Sequence, residues 1–243
     1  MSALGHYLEE EGLATVSISL IRPQTENTRP PRALWVPFEL GRPFGPPDDP
    51  VFQRRVLLTA LQLLERTDGP VLLEDFPDDD PRRRPDPGWR PLLVSARTGA
   101  GDSALLADDM EAEVLALRGA HDRWVAQYRR TTVGVSRLAI ADAARYVAEW
   151  LRGNNPESQR AGFSAPLMLR FAIDDLKAYA LEAAAAGSTR PSSKQLNDWL
   201  WNETAIGLAI HALRAALLNA EDQRLRLIAE NFIVPGARVR ASG

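Results

Sequence analysis

Residues 15–21 read "TVSISLI", an alternation that turns Val16, Ile18 and Leu20 to one side and Ser17 and Ser19 to the other, as a strand does. Just before it, "ALGHYLEEEG" (3–12) has helical spacing and stops at Gly12. A helix therefore feeds a strand. Further on, "ALWV" (33–36) is unbroken apolar sequence ended by Pro37, which predicts a strand covered on both faces. Asp48 or Asp49 can cap a helix with Pro50 at its first position, and Phe52, Val56, Ala60, Leu63 and Leu64 give that helix one apolar face. "PVLLEDF" (70–76) adds a third strand. The order predicts an α/β domain over residues 1–76, a small parallel, Rossmann-like sheet that is short at its N-terminal edge.

The stretch "TRPPRALWVPFELGRPFGPPDDP" (28–50) links two of these elements as a strand, a proline-fixed turn with Gly41 and Gly45, and a helix cap. From residue 77 to 101 the composition changes: "PDDDPRRRPDPGWRP" opens a linker whose acids and arginines neutralise one another. Beyond 102 the periodicity is helical and predicts a bundle over 102–243. Its seams are Met110, Val114, Leu117, His121, Trp124 and Tyr128; then Ile140, Ala144, Val147 and Leu151; then Leu169, Ile173, Leu176 and Ala180. A single helix from Pro191 to about residue 219 carries Leu196, Trp199, Glu203, Ile206, Ile210 and Leu213, and a short helix over 221–232 closes the chain.

Composition narrows the chemistry. The 243 residues are 45% hydrophobic, enough for a real core, and the formal charge of −3 with dispersed arginines offers no footprint for nucleic acid. No apolar run approaches membrane-spanning length and no secretory signal pattern opens the chain, so the expectation is a cytoplasmic protein with no membrane partner. There is no cysteine, which excludes disulfides and thiolate nucleophiles. His6, His121 and His211 have no metal-ligand spacing, and "ETAIGLAIH" (203–211) lacks the Glu-x-x-His pairs of a di-metal bundle, so no metal or other cofactor is expected.

Two polar residues fall on apolar seams of the bundle, His121 and Glu203. A buried carboxylate needs a partner, which His121, Lys177, Arg214 or Trp199 could supply with Asp174, Asp175 and Asn202 nearby. The sharper reading of this set is a ligand pocket between helices. The plainer one is a satisfied polar network of His121, Asp174, Lys177 and Glu203 that fixes helix register.

Taken together, "LEEEGLATVSISLI" (8–21) and "PPRALWVPFELGRPFGPPDDPVFQRRVLLTALQLLE" (30–65) resemble the C-terminal end of the selenoprotein B family of glycine, sarcosine and betaine reductases and of D-proline reductase. The shared pattern is a helix ending in glycine, a β-rich run, an apolar strand, a Pro-Leu-Gly-Asn-Pro-like turn, here Arg42-Pro43-Phe44-Gly45-Pro46, and an arginine-containing helix, here with Arg54-Arg55. It covers roughly the first quarter of the chain; "RTTVGVSRL" (130–138) and "SSKQLNDWLWNETA" (192–205) lie outside it.

In that family a selenocysteine or cysteine motif just ahead of the opening helix attacks the activated substrate, which a pyruvoyl-bearing partner holds. No residue of this chain matches that chalcogen. The resemblance therefore implies a subunit of a glycine/betaine/D-proline reductase-like complex, lacking its own nucleophile, that completes its fold and substrate site with a partner chain bearing the cysteine or selenocysteine half, or with a second copy of itself. It places His6 near the substrate edge, where Arg29, Arg32 and Arg42 could clamp a carboxylate or could instead pin the proline-rich loop by salt bridges. The alternative is a non-enzymatic binding or scaffold protein derived from the same fold.

Overall fold

The computed structural model describes residues 2–81, 84–90, 102–187 and 189–239. It divides into two compact units, residues 1–84 and 85–243. In the first, α1 (Ser2–Glu10) leads to β1 (Ser17–Ser19), α2 (Arg22–Thr28), β2 (Arg32–Trp35), α3 (Pro50–Gln62) and β3 (Leu72–Asp75). The strands form one parallel sheet in the order β1-β2-β3, with Ile18 beside Leu34 and Leu34 beside Glu74. A parallel connection needs a crossover, and α2 and α3 supply the two.

Strand alternation puts Ile18 and Leu34 on one face and Ser19, Trp35 and Asp75 on the other. On the first face Phe52, Val56 and Ala60 of α3, and Leu63 in the turn just after it, pack with Leu34 and Val36. On the second, the Arg22 guanidinium of α2 lies 5.9 Å from the Trp35 ring centre, and its Nε donates to Asp75 over 3.2 Å. The α2 helix was not expected from sequence: "RPQTENT" has no apolar stripe, and its contribution is polar.

The proline-rich ribbon is a corner of this unit. Phe38 enters the core and its ring packs against those of Phe52 and Phe76, at 5.5 and 5.8 Å between centres. Gly45 adopts φ +84°, and a Cβ there would stand 2.5 Å from the Phe52 ring, so the turn requires glycine twice over. Asp49 then accepts the Phe52 N–H over 3.0 Å and opens α3 with Pro50 behind it.

The second unit is helical among the described residues: α4 (Ser103–Tyr128), α5 (Ile140–Leu151), α6 (Ala165–Ala184), α7 (Ser193–Glu203), α8 (Ala205–Leu217) and α9 (Gln223–Asn231). One continuous apolar core runs through it, from Met110 and Leu117 to Val147, Leu169, Ile173, Trp199 and Ile210. Residues 86–89, read from sequence as part of a linker, are held on this unit. Trp89 packs on the core and donates from Nε1 to the Ala184 carbonyl over 3.2 Å, while the Asp86 N–H donates to Gln195 over 2.7 Å. Of the proposed linker over 77–101, residues 77–81 and 84 belong to the first unit, and residues 82, 83 and 91–101 lie outside the described residues.

The helix expected to run unbroken from Pro191 is two helices. Thr204 is extended (φ −92°, ψ 149°); its hydroxyl donates to the Leu200 carbonyl over 2.6 Å and accepts from the Gly207 N–H over 2.9 Å. It thus terminates α7 and caps α8 with one side chain. Gly207 is required by the close approach: a Cβ there would lie 1.9 Å from the Leu200 carbonyl oxygen.

Candidate functional site: a groove along a free sheet edge

Both β1 and β3 are edge strands, and they are defended differently. On β3, Glu74 pairs with Arg66 at 3.0 Å and Asp75 with Arg22 at 3.2 Å, charges of the kind that discourage edge-to-edge pairing. The β1 sequence, Ser-Ile-Ser, carries none. Beside it runs a groove of about 550 Å³. Residues 17–21 line it in unbroken succession, together with Ala3 of α1 and Gln24, Thr25 and Thr28 of α2. A strand seen face-on contributes alternate residues only; successive ones mean that the groove exposes its edge.

The backbone polarity of that edge follows from the ladder. The Ser19 carbonyl accepts the Val36 N–H over 2.9 Å, so Ser19 faces β2 and the N–H and C=O of Ile18 face the groove. The walls are fixed. His6 Nε2 donates to the Arg29 carbonyl over 2.9 Å, tying α1 to the end of α2, where Arg29 takes up a left-handed φ of 44°. Glu9 accepts from the Thr15 N–H at 2.8 Å, the Thr15 hydroxyl at 3.0 Å and Arg32 at 2.5 Å, joining α1 to the N-terminal ends of both β1 and β2. Burial pushes the Glu9 carboxyl upward, but the hydrogen bonds from Arg32 and Thr15 outweigh it and hold the group below its ordinary value.

These contacts locate the residues proposed to bind substrate. Arg32 is committed to Glu9, and Arg42 lies 3.7 Å from Glu39 on the exposed ribbon. Arg29 contributes its carbonyl to His6 and leaves its side chain exposed. No hydrogen bond or ion pair joins the side chains of His6, Arg29, Arg32 and Arg42 to one another among the described residues. Their placement is that of groups pinning α1, α2 and the ribbon.

In the helical unit the expected network is rearranged. Glu203 is exposed: it is the last residue of α7, and the break at Thr204 separates it from Ile206 and Ile210, with which the expected single helix aligned it. The buried carboxylate at this place is Glu113 of α4, 1% exposed, whose Oε2 accepts the Ile206 N–H at the start of α8 over 2.8 Å. His121 meets Glu182 instead, at 3.0 Å, and its ring packs on Tyr179. Asp174 and Lys177 pair with each other at 2.7 Å on α6, apart from His121.

Glu182 also accepts from the Thr131 hydroxyl (2.6 Å), the Thr132 N–H (2.7 Å) and the Thr132 hydroxyl (2.8 Å). Two helical turns earlier, Asp175 accepts from the N–H groups of Gly134, Val135 and Ser136 at 2.7, 2.9 and 3.0 Å and from the Ser136 hydroxyl at 2.5 Å. The loop "RTTVGVSRL" is thereby fastened to α6 by two carboxylates that sequence reasoning did not assign to it. Its run of Thr, Gly and Ser is a donor-rich segment with no apolar side chain to bury at those positions, the one signal that such acceptors are needed. Thr131, His121 and Glu182 do not form a catalytic triad, since Thr131 and Glu182 both approach the same imidazole nitrogen, Nε2.

No group of three or more metal-ligating side chains is found among the described residues, nor any helix long and apolar enough to cross a membrane. Comparison with family models, curated proteins and solved structures finds no match to this chain.

Proposed function

We propose that this chain is a strand-accepting subunit of a reductase-like complex in the cytoplasm, in which a partner chain carrying the cysteine or selenocysteine nucleophile docks along β1. The observation that carries the reading is the groove lined by consecutive residues 17–21, which offers the backbone of Ile18 as donor and acceptor. A strand added there gains main-chain hydrogen bonds on one side, while Ile21 and Leu40, 50% and 72% exposed, receive apolar side chains. The resemblance of residues 8–65 to the selenoprotein B family supplies the partner's chemistry. The three strands are then the core of a Rossmann-like sheet that the partner extends, and with no cysteine this chain positions the partner and does not attack substrate.

Purification of the full chain from its native cell, with hydrogen exchange followed on residues 15–21 in the isolated chain and in the recovered complex, tests this. The expected result is fast exchange at Ile18 in the isolated chain, slow exchange in the complex, and a partner sequence that contains a reactive cysteine or selenocysteine. Strong protection of Ile18 in an isolated monomer would favour the self-contained binding protein. Thiol-dependent reductive cleavage of glycine, betaine or proline by the isolated chain, above a heat-killed control, would overturn the division of labour.

A further inference from the structure

The helix α3 is apolar on two sides. Phe52, Val56 and Ala60 are buried toward the sheet, while Val51, Leu57, Leu58 and Leu61 remain exposed, Val51 by 73% and the three leucines by 41–44%. A solvent-facing helix turns a polar side outward. In the other unit α5, α6, α7 and α8 follow that rule and expose no large apolar side chain. Single exposed apolar residues are ordinary, whereas a contiguous strip marks an interaction surface.

The strip also has an order. Arg54, Leu58, Leu61 and Glu65 follow at steps of four, three and four, the spacing of a seam between two packed helices, with Leu57 beside it. The turn Leu63–Glu65 continues α3 directly and leaves Glu65 exposed at the end of this side. Toward the start of the helix Val51, Arg54 and Leu58 line one groove of about 320 Å³ with Pro50 and Arg55. Arg55 is taken up by Asp78, and Arg66 by Asp68 and Glu74. Arg54 and Glu65 have no ion-pair partner among the described residues. At 1.5 Å per residue they stand roughly 16 Å apart and do not reach each other. The strip thus begins on a cation, is apolar in the middle and ends on an anion.

We infer that two copies of this chain pack through this strip, α3 against α3, antiparallel about a two-fold axis. An antiparallel copy sets Arg54 beside Glu65 of the second copy and Leu58 beside its Leu61, and the symmetry makes each contact twice. A parallel copy would set Arg54 against Arg54 and Glu65 against Glu65, like charges that repel. A face that is complementary to itself under a two-fold closes after two chains, so the product is a dimer and not a filament. No residue of the strip lines the β1 groove, so the dimer leaves that groove to another strand, and its test does not depend on the reading of the groove.

Sedimentation equilibrium of the full chain from micromolar to millimolar concentration tests this. A reversible dimer is expected, abolished in Leu58→Glu/Leu61→Glu and weakened on the order of tenfold in Arg54→Glu, which turns both ion pairs into like-charge pairs. Arg54→Glu/Glu65→Arg exchanges the two charges and should restore association, a rescue that unspecific apolar sticking does not show. All four side chains are exposed in the single chain, so these variants should keep the parent's circular dichroism spectrum. The chain has no cysteine, which allows a second measurement. A mixture of Leu58→Cys and Leu61→Cys chains should be crosslinked by a short bismaleimide faster than either chain alone, and this measurement decides if a charge variant loses its helical spectrum. A monomer at every concentration, a dimer indifferent to Leu58→Glu/Leu61→Glu, no rescue by the charge exchange in a folded variant, or no advantage of the mixture overturns the antiparallel contact.

Discussion

Asp175 accepts both the backbone N–H and the hydroxyl of Ser136, at 3.0 and 2.5 Å, from a position 39 residues further along the chain. With Asp175 only 1% exposed and the Gly134 and Val135 N–H groups on its other oxygen, this single side chain supplies the acceptors for three consecutive backbone N–H groups. Replacing it by alanine leaves those donors without partners. Asp175→Ala should lose about 3 kcal/mol in urea unfolding, at the upper end of single-residue effects. A loss within experimental error would mean that water replaces the carboxylate freely.

Glu182 makes the stability of the same loop depend on pH. Burial raises its pKa, but the hydrogen bonds from Thr131, Thr132 and His121 outweigh burial and hold the carboxyl below its ordinary 4.5. A group whose folded pKa is depressed contributes stability above its unfolded pKa and loses it as pH falls through the folded value. Glu182→Gln should therefore lower the melting temperature at neutral pH, and the two proteins should converge as the medium is acidified below 4.5. Parallel curves across that range would remove Glu182 from the acid transition.

Gly207 and Gly119 should respond to alanine in opposite directions. A Cβ at Gly207 would be 1.9 Å from the Leu200 carbonyl oxygen, a backbone atom that cannot move aside without opening the α7–α8 junction, so Gly207→Ala should cost at least about 3 kcal/mol. Gly119 lies exposed within α4, where the nearest group is the far end of Arg123 at 3.8 Å. Gly119→Ala should add roughly 0.5–1 kcal/mol through helix propensity. Equal effects at both positions would contradict the junction geometry.

Amide exchange along β1 in the isolated chain should alternate. Ser17 and Ser19 face β2 and should exchange slowly, whereas Ile18 and Leu20 face the groove and should exchange fast. Residue-resolved exchange by NMR reads this directly. Uniform protection from 17 to 20 would show that the edge is already covered.

The N-terminal boundary of the helical unit can be read from two fragments. Residues 85–243 retain the Asp86–Gln195 contact and the docking of Trp89, and 102–243 do not. The longer fragment should unfold cooperatively and be more stable by roughly 1–3 kcal/mol, the scale of burying part of a large aromatic side chain. Identical denaturation midpoints would make residues 85–90 a passive strap.

The sequence alone determined what repeats locally. The alternation in "TVSISLI", the Asp49-Pro50 cap and the seams through Met110, Val147 and Ile173 each depend on residues within a few positions of one another, so their periods are written in the chain. It also determined the absence of a thiol nucleophile, a matter of composition. What depends on long-range approach was not legible. The helix α2 has no stripe and is polar, and the break at Thr204 is permitted by Gly207 approaching Leu200 and supported by Glu113 reaching α8 from another helix, so the single seam that joined Glu203 to Ile206 and Ile210 is lost. Glu182 and Asp175 find their donors 50 and 39 residues away, and only the packing of α4, α5 and α6 brings those donors within hydrogen-bond reach. The groove beside β1 is likewise tertiary: sheet order decides which strand is left at an edge, and side-chain period is the same for an edge strand and a central one.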